Sequence, residues 1–166
     1  MSVLIPVVIV VLTVVAMEGF AYSVHRWIMH GPLGWGWHKS HHEETHGPFE
    51  KNDLYAVVFA VISILLFAIG SAWWPWLWWV AVGASVYGVI YFVVHDGLVH
   101  QRWPFRYVPK RGYFRRLYQA HRLHHAVEGR DDCVSFGFVY APPVDDLKAQ
   151  LKSSGVRAKR QSKHRD

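Results

Sequence analysis

Histidine is the residue through which this chain can do chemistry. Twelve histidines stand beside twelve carboxylates in 166 residues, and ten of the twelve fall into a repeated order. "HRWIMH" supplies His25 and His30, and "HKSHH" then supplies His38, His41 and His42. "HDGLVH" supplies His95 and His100, and "HRLHH" then supplies His121, His124 and His125. A lone histidine is usually a packed or surface residue, but a pair followed by an H-x-x-H-H triplet, twice over, is an internal repeat of function. Neutral imidazole is a good donor to iron, zinc and copper. On a helix, residues three and four apart share a face, so each triplet presents its rings together. The pairs are harder to place, because five residues turn about 140° around an α-helix of about 3.6 residues per turn. Two such rings reach one ion only if the helix ends or bends between them, and Gly31 with Pro32, and Gly97, offer places to unwind. Ten imidazoles exceed what one ion takes, about four to six donors, and suit a dinuclear site. His46 follows the first triplet but fits neither batch, and His164 lies in a basic tail and is read as solvated.

The elements that must carry these rings are apolar. The chain is 52% hydrophobic and only 18% charged, below the roughly one quarter usual for soluble domains. Residues 3–24 contain one charge, Glu18, and residues 54–70 and 75–94 contain none. A bilayer core needs about 20 apolar residues per helix, so the pattern predicts an all-α integral membrane protein with three transmembrane helices. The first is expected to stay in the protein: no Lys or Arg precedes it, and it is longer than a signal-peptide core of about 7–15 residues. Three spans put residues 25–53 and 95–166 on one side. All 18 Lys and Arg lie there, which predicts that side to be cytoplasmic. Trp73, Trp74, Trp76, Trp78 and Trp79 cluster at the opposite turn, as an interfacial belt would. Both histidine batches therefore belong to cytoplasmic helices and helix exits at one membrane face.

Several other residues bear on such a site. Glu18 lies seven residues before His25 on the same helical face, and intramembrane carboxylates are costly and usually functional. It is expected to orient a ligating imidazole by bonding its outer nitrogen, and Asp96 and Asp132 are candidates for the same role. Asn52 and Asp53 precede the second span as N-cap residues. "SFGFVYAPP", residues 135–143, is apolar but too short to span, and could cover the metal site or touch the interface. Residues 148–166 are polar and basic and are expected to be poorly ordered, leaving residues 1–147 as the membrane-embedded domain.

The single cysteine, Cys133, excludes an intramolecular disulfide and a thiolate zinc site. No GxGxxG, flavin or haem-cysteine motif is present, so a redox reaction here would need electrons from a partner. Residues 101–166 hold 15 Lys and Arg against 6 Asp and Glu. That surface would steer an acidic partner or hold anionic lipid; no nucleic-acid partner is expected.

The order HxxxxH, HxxHH, HxxxxH, HxxHH resembles the membrane-bound fatty-acid hydroxylase superfamily, with its histidine-rich dinuclear iron centre. "GWGWHKSHHE", "FEKNDLYAVVFA", "HDGLVHQRWPFR" and "VSFGFVYAPP" resemble the bacterial β-carotene 3-hydroxylase family, over about residues 15–143. The resemblance implies two iron ions, dioxygen as co-substrate, a carotenoid drawn from the bilayer of a bacterial inner membrane, and a ferredoxin-type electron donor. It implies hydroxylation of β-carotene through β-cryptoxanthin to zeaxanthin; zinc can replace iron without disturbing such a fold. The alternatives are a related hydroxylase, ketolase or desaturase acting on another lipid, and a metal-binding membrane transporter, whose ligands belong at the bilayer midplane.

Overall fold

The computed structural model describes residues 3–43, 47, 49–104 and 106–155. Among these, six α-helices and two π-helical segments occur, and no strand. Among the described residues, three helices are long and apolar enough to cross a membrane: Leu4–Met29, Asp53–Ala72 and Pro75–Val99. The first is α1 (Leu4–Ser23) continued by a π-helical segment, Val24–Met29. The second is α3 (Asp53–Ala72), and the third is α4 (Pro75–Tyr91) continued by a second π-helical segment, Phe92–Val99. Between the first two spans lies α2 (Trp35–His42). After the third come α5 (Gly112–His124) and α6 (Val144–Ser153).

These helices form because uninterrupted apolar chain cannot leave backbone groups unpaired in lipid. α4 is the central span and packs against both α1 and α3. Small residues on it let the neighbours approach: Ala81, Gly83 and Ala84 are buried, and a methyl on Gly83 would stand 2.6 Å from Thr13 Cβ. No residue of α1 is buried within the protein, which suits a span whose outer face is lipid. Trp73, Trp74, Trp76 and Trp78 are exposed around the α3–α4 turn. Pro75 opens α4, where a missing N–H costs nothing.

At the end of the third span, α5 and α6 close a small core of Val94, Leu117, Ala120, Val134, Ala141 and Leu147. Leu151 packs on that core, so the folded unit runs past the expected boundary at residue 147. α6 is amphipathic, and burying Leu147 contributes about 2 kcal/mol, which is why residues 148–153 are helical rather than loose tail. Residues 156–166, including His164, lie outside the described residues, as does His46.

Candidate metal centre

All ten described histidines converge at the end of the bundle where α1 and α4 finish and α3 begins. Each five-apart pair has its first histidine on a π-helical segment and its second at the residue that caps it. His30 N–H bonds His25 carbonyl at 3.0 Å, and His100 N–H bonds His95 carbonyl at 2.9 Å. The i→i+5 register of a π-helix stacks residues five apart on one face. The expected unwinding between the rings is therefore corrected. The chain stays helical through both pairs and widens its turn instead. Gly97 serves a different purpose: the Trp103 ring packs where its Cβ would be, at 2.7 Å. Gly31 follows His30, where the backbone folds back so tightly that a methyl would lie 2.1 Å from Trp27 carbonyl.

The rings sort into two sets of four and a third set between them. His25, His30, His38 and His124 form one set, and His41, His95, His100 and His121 form another, each with donor atoms within 4.8 Å of one another. His42, His124 and His125 form the third. The composition follows the repeat. The first set takes three histidines of the first batch and His124 of the second; the other takes three of the second and His41 of the first. His41 and His124 occupy equivalent middle positions of the two triplets, so the batches exchange one ring reciprocally.

The outward nitrogens decide what the inward ones can do. His25, His30 and His124 donate Nδ1–H to the carbonyls of Phe136 (2.9 Å), Arg130 (2.8 Å) and Val134 (2.9 Å). His38 Nδ1 bonds Asn52 Oδ1 at 2.8 Å, His41 Nδ1 bonds Glu50 Oε2 at 2.9 Å, and His95 Nδ1 bonds Asp96 Oδ1 at 2.7 Å. With the proton on Nδ1, each Nε2 has only a lone pair. Yet Nε2 of His38 lies 3.2 Å from that of His25 and 3.1 Å from that of His30. His30 and His124 approach to 3.1 Å, as do His41 and His95. No proton is available to make these contacts hydrogen bonds; facing lone pairs need a cation. At a metal–nitrogen distance of about 2.0–2.1 Å, two donors lie about 2.9 Å apart at right angles and about 3.4 Å apart at the tetrahedral angle. The observed separations fall in that interval, so the donor set fits metal ions.

Burial keeps the rings neutral. It lowers His38 to about 4 and His100 to about 3, from an ordinary value of 6.5. It pushes His41, His121, His124 and His125 well below that value, and neighbouring imidazoles push them further. A second charge among so many rings would be repelled, and neutral imidazole is the form that binds metal.

Of the three carboxylates singled out from the sequence, Asp96 bonds a histidine of the cluster. Glu18 does not: Oε1 accepts the backbone N–H groups of Phe138, Val139 and Tyr140, and Oε2 accepts the Tyr87 hydroxyl. Its depth in the span puts it beside the 138–140 backbone rather than an imidazole nitrogen. Asp132 is exposed, and the neighbouring group that reaches the cluster is the Arg130 carbonyl. Asn52 stands at the N-cap position of α3, but its side chain makes no cap bond and serves His38. Asp53 accepts both Arg102 guanidinium nitrogens at 2.8 Å, and Arg102 lies 3.9 Å from Asp96. Glu50 and the three carbonyls were not legible as site groups: Glu50 sits in an acidic and basic turn without a spacing rule, and a carbonyl has no residue-type signal.

Residues 10–147 match the fatty acid hydroxylase family. The chain belongs to that family. Its relatives include the "Beta-carotene hydroxylase" of Paracoccus sp. (strain PC1), 76% identical over 148 residues, which cover 89% of this chain and 91% of the relative. The "Beta-carotene hydroxylase" of Pantoea ananas is 60% identical over 152 residues, 90% of this chain and 86% of that one. The "Beta-carotene 3-hydroxylase, chloroplastic" of Haematococcus lacustris is 43% identical over 116 residues, 66% of this chain and 36% of the longer relative. No solved structure matches the chain.

Proposed function

We propose that the protein hydroxylates ring carbon 3 of β-ionone rings, taking β-carotene through β-cryptoxanthin to zeaxanthin at a dinuclear iron centre held by its ten clustered histidines. The observation that carries the reading is the 76% identity to a bacterial β-carotene hydroxylase along nearly the whole of both chains. His25, His30, His38 and His124 would hold one ion, His41, His95, His100 and His121 the other, with His42 and His125 between them. Iron bound there supplies dioxygen reduction: a ring C–H bond, dioxygen, two electrons and two protons give a C–OH bond and water.

The chain's own residues prepare the site. The carbonyls of Phe136, Arg130 and Val134, with Asn52, Glu50 and Asp96, lock six rings in one tautomer and orientation. Such outer partners raise ligand basicity and typically change metal affinity or activity about 10–100-fold. Close packing of the imidazoles with Phe136 and Phe138 excludes water. The substrate offers only apolar surface and so enters laterally from lipid. Electrons come from a ferredoxin-type donor steered by the basic charge that residues 101–166 carry in sequence. The centre faces the cytoplasm of a bacterial inner membrane. A transporter is disfavoured because the rings gather at one end of the spans, not at their middle.

Expression in a bacterium that accumulates β-carotene tests the reading. Pigment chromatography should show zeaxanthin with β-cryptoxanthin as an intermediate. Canthaxanthin would make the protein a ketolase, and unreacted β-carotene from well-expressed protein with a reductant supply would overturn the proposal.

A further inference from the structure

Residues 134–140 pass beside the clustered histidines without regular structure, and are tied to the first span by the His25–Phe136 bond and by a carboxylate. Glu18 lies seven residues before His25, about 10 Å deeper along α1 at about 1.5 Å per residue. Its Oε1 accepts N–H from three consecutive residues, Phe138 (3.0 Å), Val139 (3.1 Å) and Tyr140 (2.9 Å). Its Oε2 accepts the Tyr87 hydroxyl of α4 at 2.6 Å. Successive N–H groups turned toward one anion make a nest. The turn is tight enough that a methyl on Gly137 would lie 2.8 Å from Glu18 Oε1. The imidazoles do not need this carboxylate, since His25 is already oriented by the Phe136 carbonyl.

What the clamp fixes is the Phe138 ring. That ring stacks on His25 at 5.0 Å and 12° and meets His95 edge-on at 5.2 Å and 83°. It also meets Tyr91 of α4 at 4.8 Å. His25 and His95 belong to different histidine sets, so one apolar ring straddles both. They are also the first histidine of each batch, at the ends of the two spans, so Phe138 stands on the bilayer side of the centre. Phe138 is buried there, against Tyr91 and both histidine sets.

We infer that Phe138 is the specificity-determining wall of the substrate site, and that Glu18 is a positioning residue that holds it in register through the 138–140 backbone. The inference rests on the proposed carotenoid reaction. An aromatic wall held at a fixed height against both histidine sets determines which carbon of a six-membered ring lies over the centre. Its removal leaves the ring free to slide.

The test compares the wild-type chain with F138A, Glu18→Gln, Glu18→Ala and the Glu18→Ala/F138A double variant. Each is iron-loaded in vesicles with β-carotene and a reduced ferredoxin. Metal per chain, amide exchange at residues 138–140, KM, kcat and the position of the new hydroxyl are read together. F138A should keep its metal, raise KM about tenfold with a smaller change in kcat, and yield products oxygenated at ring carbons other than 3. Glu18→Ala should reproduce that product pattern with faster exchange at 138–140. Glu18→Gln, which keeps an acceptor oxygen, should fall between, and the double variant should be no worse than F138A because both act through one ring. If Glu18→Ala does not fold, Glu18→Gln and F138A carry the comparison. Ring-3 selectivity and KM unchanged in F138A would overturn the inference alone. So would a Glu18 variant that loses turnover while its KM and products stay wild-type, since that is a purely structural role. A wild-type chain inert toward β-carotene would overturn the carotenoid reading as well.

Discussion

At the level of single residues, the centre depends on lone pairs that face one another and on the acceptors that turn them inward. The histidines themselves were legible because their spacing repeats. Their partners were legible only in part: Asp96 adjoins His95 in sequence, whereas the residue that bonds His38 is Asn52, hidden behind a capping position, and three partners are backbone carbonyls. Asn52→Leu should lower metal affinity about 10–100-fold, while Asn52→Asp, which still accepts the His38 Nδ1–H, should retain most of it; a metal titration distinguishes them. His41 and His124 should behave as equivalents, because each completes the set built mainly by the other batch. His41→Ala and His124→Ala should each bind fewer than two ions per chain and lose most hydroxylation, with membrane insertion intact. Acid should act in one direction. The unfolded chain takes up protons below about pH 6.5, but folded His38 resists to about 4 and His100 to about 3. The unfolded state therefore binds more protons between those values, so the metal-free protein should be stable above about pH 6.5 and lose stability as pH falls toward 4. Tm measured across that interval should drop, and a Tm that rises on acidification would contradict the burial of neutral rings.

Among the elements, the π-helical segments do what an α-helix cannot. An HxxxxH pair read on an α-helical wheel splays by about 140°, which made a break look necessary; the same five-residue interval is the hydrogen-bond register of a π-helix. The signal was present in the spacing, but the α-helical prior concealed it. The three spans were legible from uninterrupted apolar chain, since lipid leaves little choice of structure. The end of the domain was not: polar composition after residue 147 pointed to a loose tail, but α6 is held by Leu147 and Leu151 on one face. Leu147→Ala should destabilise the α5–α6 unit by about 2–5 kcal/mol, seen as faster amide exchange in α5 and α6 with the spans unaffected. Gly31→Ala should be harsher than its size suggests. The added methyl would lie 2.1 Å from the Trp27 carbonyl, in the π-helical segment that aims His30. The variant should bind less metal than wild type, and full occupancy would show that the turn can relax.

For the whole molecule, one membrane face holds the charge, the histidines and the short helices, while the other holds a tryptophan-rich turn. That division was legible because Arg26 stands in the last turn of the first span and the other 17 Lys and Arg fall outside the spans, none of them near the turn between the second and third. A reporter inserted near Ser71 should be periplasmic and one following Arg165 cytoplasmic; the reverse result would place the centre on the wrong side for a cytoplasmic donor. The pairing of batches across the molecule was not legible, because nothing in a sequence repeat says that His41 and His124 change places. That exchange interleaves the two batches in one cluster. The most direct test is a titration of ferrous iron into metal-free protein, counting tightly bound ions per chain alongside hydroxylation. Two equivalents should bind, with activity complete only when both are present. Saturation at one ion, or full activity at one, would contradict a dinuclear centre built from ten histidines.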